Sequence, residues 1–164
     1  MSRYLELVRR HGADILSSPG MRRERSFVQH GSVSVYQHSL MVAMTCVRLT
    51  RALRLRVDER ALVRGALLHD YFLYDWHDPD PAHKWHGFSH ASAALRNARR
   101  DFVLSPVEEN MIASHMFPLS VPAPHCRESV ILWVADKVCA TGETVGARRD
   151  RLSRWLQSRR EGRA

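Results

Sequence analysis

From Tyr4 to Ala140 the apolar residues recur at helical spacing, and no stretch alternates apolar and polar between turn residues as a half-buried strand would. The segment 34–55 is the extreme case. Leu40, Val42, Ala43, Met44, Val47, Leu49 and Leu53 surround it with apolar side chains, as expected of a helix at the centre of a bundle. Tyr4 to Leu16 carries a narrower stripe of Leu5, Val8, Ile15 and Leu16, suited to packing on one side only. With 164 residues, 45% of them hydrophobic, the chain suffices for one core. The expected class is all-α, a single helical bundle of about six to eight helices.

Local signals divide the bundle. Pro19-Gly20 ends the first helix. Asp58 is an N-cap for a helix reaching His69-Asp70. Residues 75–87, with Asp75, Asp78, Pro79, Asp80, Pro81 and Gly87, form an expected loop, after which Ser89 caps a helix over Ala91 to Arg100. Ser105-Pro106-Val107-Glu108 combines a cap, a proline at the first helical position and a capping-box glutamate. Pro118, Pro122 and Pro124 force an extended link, and Arg127 to Ala140 is the last core helix. Gly142 and Gly146 are expected to loosen the chain before a terminal helix over Arg148 to Arg159. The organisation is thus a domain over 1–147 and a basic helix or tail over 148–164.

Charge and cysteine content narrow the function classes. Of the net charge of +8, +5 falls in residues 148–164, where seven arginines face only Asp150 and Glu161. A basic tail is a possible route to nucleic acid, but Trp155 is the one aromatic among these arginines, so a solvated helix end is the simpler reading. Cys46, Cys126 and Cys139 are odd in number and form no CxxC, which makes them free thiols rather than a disulfide framework. No apolar run is long enough to span a bilayer, and Met1 to Glu6 has no signal-peptide core. A cytoplasmic protein without a membrane partner is expected.

Ten histidines are the first sign of metal chemistry. His38, His69-Asp70, His90, His115 and Asp136 each lie in or beside an expected helix among apolar neighbours. Asp136 directly follows Ile131-Leu132-Trp133-Val134-Ala135. A carboxylate on such a face needs a partner, because burying it alone is costly. Each histidine taken singly would be a hydrogen-bonded core residue. Together they form a set of imidazoles and carboxylates suited to iron, manganese, zinc, nickel or cobalt.

His38, then His69-Asp70 after 31 residues, then Asp136 a further 66 along from Asp70, resembles the H…HD…D signature of the HD-domain superfamily of metal-dependent phosphohydrolases. The contexts Ala66-Leu67-Leu68-His69-Asp70 and Ala135-Asp136-Lys137 strengthen the likeness, which covers about 31–141. The resemblance implies a helical domain of HD type holding one or two divalent ions. His38, His69, Asp70 and Asp136 would bind the first, and Asp70, the implied catalytic centre, would bridge to a second completed by His90 and His115. It implies hydrolysis of a nucleotide or another small phosphate ester or anhydride. Two departures matter. The lysine that many two-metal members carry shortly after the HD pair is missing from Asp70-Tyr71-Phe72-Leu73-Tyr74-Asp75, and there is no Gly-Tyr-Pro motif of the cyclic-dinucleotide phosphodiesterases.

Lys84, Lys137, His86 and His30 are the candidate substrate-binding residues. The two lysines could replace the missing phosphate clamp, His86 could touch substrate from the loop, and His30-Gly31-Ser32 lies just before the His38 helix. Two other functions fit the same ligand set: a di-iron oxygenase of this superfamily, or a non-catalytic metal-binding signalling module.

Overall fold

In a computed structural model, the described residues are 3–76 and 86–161, with side chains described except at 30, 86 and 150–161. Among the described residues seven helices and one small hairpin follow in order: α1 Arg3–Leu16, α2 Pro19–Arg23, β1 Val28–His30, β2 Val33–Ser34, α3 Val35–Ala52, α4 Glu59–Leu68, α5 His86–Asp101, α6 Pro106–Ser114 and α7 Arg127–Glu161. The all-α class holds. Among the described residues no helix is long and apolar enough to cross a membrane.

The start signals of three helices do what their chemistry requires. Ser34 accepts from the Gln37 amide and Gln37 reaches back to the Ser34 amide, closing a capping box at α3. Asp58 caps α4 through the Ala61 amide. Ser105 and Glu108 close a second box at α6 behind Pro106. From Ala61 to Leu68 every residue of α4 is buried, because α1, α3, α6 and α7 all pack around it. At Gly65 a Cβ would lie 2.6 Å from the Met111 sulfur, so the missing side chain lets α4 and α6 approach closely. Arg64, on the same buried helix, gives Nε to Glu108 of α6 at 2.7 Å and Nη1 to both oxygens of Asp14 of α1 at 2.6 and 2.7 Å. One guanidinium thus ties three helices together.

Three expectations need correction. The hairpin is strand where none was expected. Its strands of three and two residues are too short to show a period, and the turn begins at Gly31, whose φ of +62° is left-handed. α5 begins at His86 rather than after a cap at Ser89. Serine is also tolerated inside a helix, and the buried stripe of Ala91, Ala94 and Ala98 is served equally well by the longer element. Finally, α7 runs unbroken through Gly142 and Gly146. A helical glycine costs about 1 kcal/mol relative to alanine but ends a helix only by turning left-handed, and neither glycine has a positive φ. The three cysteines are free thiols, as expected.

Candidate metal centre

Five helices deliver the candidate ligand set. His38 comes from the first turn of α3, His69 and Asp70 from the end of α4, His90 from the second turn of α5, His115 from the end of α6, and Asp136 from the third turn of α7. All six are buried, none more than 6% exposed. They fall into two groups, His38 with His69 and Asp136, and Asp70 with His90 and His115. In each group the potential ligand atoms lie within 4.8 Å of one another.

Asp70 connects the groups. Its Oδ2 is 3.4 Å from His69 Nε2 and 3.8 Å from His38 Nε2. Its Oδ1 is 3.3 Å from His90 Nε2 and 3.4 Å from His115 Nε2. Asp136 Oδ1 closes the first group at 3.2 Å from His38 Nε2 and 3.8 Å from His69 Nε2.

The far ring nitrogens fix the tautomers. His69 Nδ1 lies 2.8 Å from the Ala66 carbonyl, and His115 Nδ1 2.8 Å from the Ile112 carbonyl. A carbonyl only accepts, so each Nδ1 carries a proton, and Nε2 is the nitrogen turned to the centre and free to ligate when the ring is neutral. His90 Nε2 and His115 Nε2 are only 2.9 Å apart. His69 Nε2 and Asp70 Oδ1 have no hydrogen-bond partner within the protein. Buried polar atoms left without a partner are costly. A divalent cation would satisfy them, and the donor set of imidazoles and carboxylates fits one.

The electrostatics point the same way. Burial opposes charge on Asp70, but His69 together with His115 and His90 holds its carboxyl well below the usual range. Burial is likewise outweighed at Asp136 by His38 and His69. Burial lowers the His115 pKa and favours the neutral, ligating ring. Both carboxylates are therefore ionised in a buried site and need positive charge; in the metal-free protein it comes from protonated imidazole, since burial opposes charge on His38 but Asp136 and Glu143 raise its pKa to about 10.

The HD domain family model matches residues 35–141. The chain belongs to the HD-domain family. No curated protein and no solved structure matches it. The family match spans all six gathered residues and, with the two buried His/Asp groups, assigns the HD domain a divalent-metal site and hydrolase-type chemistry.

A cavity of about 290 Å³ opens onto the centre, lined among others by Gln29, Trp76, Met116, Lys137 and Ala140. Lys137 is the one candidate substrate-binding side chain the structure describes there. Its ammonium donates to Asp136 Oδ2 at 2.7 Å and to the His115 carbonyl at 3.2 Å, between the two groups. His30 lies in β1 and His86 opens α5, four residues before His90, but both side chains lie outside the described residues, as does all of Lys84, along with His77 and His83. His125 is exposed, and His11 contacts Glu59 at 3.3 Å, away from the centre.

Sequence reasoning missed three polar residues in and around the HD site. Gln29 donates Nε2 to Asp70 Oδ2 at 2.6 Å. Glu143 holds His38 Nδ1. Glu24, fully buried with neither oxygen hydrogen-bonded, is driven well above the usual carboxyl range by burial and by the charge of Asp70. Gln29 lies in a hairpin that leaves no periodic signal, and Glu143 follows a glycine expected to weaken the helix.

Proposed function

We propose that this HD domain is a metal-dependent phosphohydrolase acting on a small phosphate ester or anhydride, a nucleotide among them, over two ions that share Asp70. The observation that carries this reading is the division of Asp70, whose Oδ1 faces one buried histidine pair and whose Oδ2 faces the other. His38, His69, Asp136 and Asp70 would hold one ion, and Asp70, His90 and His115 the second. Bound there, such ions supply an acidified water and neutralise phosphoryl oxygens.

The protein's own groups do the rest. Gln29 restrains Asp70 through its Oδ2 and so fixes the carboxylate that both groups use. Lys137 presents its ammonium at the cavity, where an anionic oxygen can exchange for part of its contact with Asp136. It supplies the positive charge that the HD pair lacks in its following residues, and phosphoryl transfer depends mainly on such positioning and charge compensation. Trp76, Met116 and Ala140 give the cavity an apolar wall for the organic part of a small ester. About 290 Å³ suits one compact ligand.

The test is a metal-reconstituted sample offered a panel of nucleotides, phosphomonoesters and phosphodiesters. Turnover that disappears in Asp70→Ala supports the proposal. Bound metal without turnover on any of them overturns it, and oxygen uptake by an iron-loaded sample with a polyol or phosphonate would assign the oxygenase chemistry instead.

A further inference from the structure

His38 is supported differently from His69 and His115. Those two rings lean on carbonyls of their own helices, three residues back. His38 Nδ1 instead lies 3.0 Å from each carboxylate oxygen of Glu143, 105 residues further along the chain. The Glu143 side chain is 4% exposed. It stands beyond residue 141, where the family match ends, in the part of α7 that follows Gly142.

We infer that Glu143 is a positioning residue of the metal centre, holding His38 as an Nε2 ligand and strengthening it as a donor. The inference rests on the metal reading proposed above. A carboxylate accepts but does not donate, so the Nδ1 proton lies toward Glu143, and Nε2, which faces Asp136 and Asp70, is the nitrogen that would exchange its proton for an ion. An imidazole whose far N–H is held by a carboxylate is fixed in orientation and is a more basic ligand than one held by a neutral carbonyl. The position of Glu143 is itself secured. Four residues on, Ala147 meets the hairpin at Gly31, where a Cβ on the glycine would lie 2.6 Å from that of Ala147. The same hairpin carries Gln29, the donor to Asp70. The turns of α7 after Gly142 therefore bear on His38 directly and on Asp70 through the hairpin.

The alternative is that Glu143 only ties α7 to α3, and the experiment separates the two. Cobalt(II) is titrated into the full chain carrying His115→Ala, which isolates the group containing His38, and into the same chain with Glu143→Gln added. Glutamine still accepts the Nδ1–H but removes the charge. The expected result is a loss of cobalt affinity of roughly 10- to 100-fold and a shift of the visible cobalt band at saturation. Equal affinity and an unchanged band in the two variants overturn the role of Glu143 while leaving the metal reading standing. If Glu143→Gln lowers the metal-free melt, an unchanged band at saturation still overturns it and a shifted band supports it. Absence of cobalt uptake by the wild-type chain would defeat the metal reading and this inference with it.

Discussion

Replacing Arg64 by methionine tests how the bundle holds its metal-bearing helices together. The methionine fills much of the same space without charge. The arginine and Glu108 side chains are 3% and 1% exposed, whereas Asp14 is 56% exposed. Asp14 can therefore return to water at little cost, but Glu108 cannot. One of its oxygens still accepts the Ser105 amide at 2.5 Å, while Oε1 loses its partner inside the protein. Removing one side of a buried pair costs about 3–5 kcal/mol. For a chain of this size, at about 2–4 °C per kcal/mol, the melting temperature should fall by about 6–20 °C. The double variant Arg64→Met/Glu108→Gln keeps an acceptor for Ser105 without the stranded charge. It should recover most of the loss, to within about 2 kcal/mol of wild type. Thermal and urea unfolding of both variants measure this. A single variant within about 1 kcal/mol of wild type, or a double variant no better than the single, would refute the reasoning.

Asp70→Ala should abolish metal binding, since Asp70 faces both groups, whereas His115→Ala should lose chiefly the ion on its own side; metal analysis of the two purified variants distinguishes these outcomes. Lys137→Ala should leave metal content intact and reduce turnover by about 10²-fold, the scale of losing one preorganised electrostatic contact; steady-state rates on the best phosphorylated substrate check it. Glu24 has a raised folded-state pKa, so its contribution to stability is present below its ordinary value of 4.5 and is lost as pH rises toward the folded value. Glu24→Gln cannot titrate, so its stability relative to wild type should improve between pH 4.5 and pH 8 in metal-free protein. A difference in urea unfolding that does not change with pH would contradict this.

What could be read from the sequence was what acts locally. Asp58 and Ser105 announce their helices because a cap bonds within three residues, and the apolar surround of 34–55 announces a central helix because burial acts on every turn. The six residues gathered at the centre were visible as polar residues out of place on apolar faces. The features that escaped depend on distant partners. Arg64 looks like an interruption of an apolar run until Asp14 and Glu108, 50 and 44 residues away, are seen to meet it. Ser89 has the chemistry of a cap, but α5 starts three residues earlier. Gly142 has the chemistry of a break, but the helix continues to where Glu143 meets His38 and Ala147 meets the hairpin. Gln29 comes to Asp70 through a fold-back whose strands are too short to leave a pattern.

The rings at the ends of α4 and α6 have a consequence for assembly. The last carbonyls of a helix lack amide partners, and His69 and His115 each serve one of them. Each imidazole is thereby aimed by the same turn that finishes its own helix, and needs no contact with another segment to hold that direction. Packing of the helices then has only to bring the two rings within reach of a common point. Side chains lining the cavity could then be exchanged over evolution to suit different esters without re-aiming either ring.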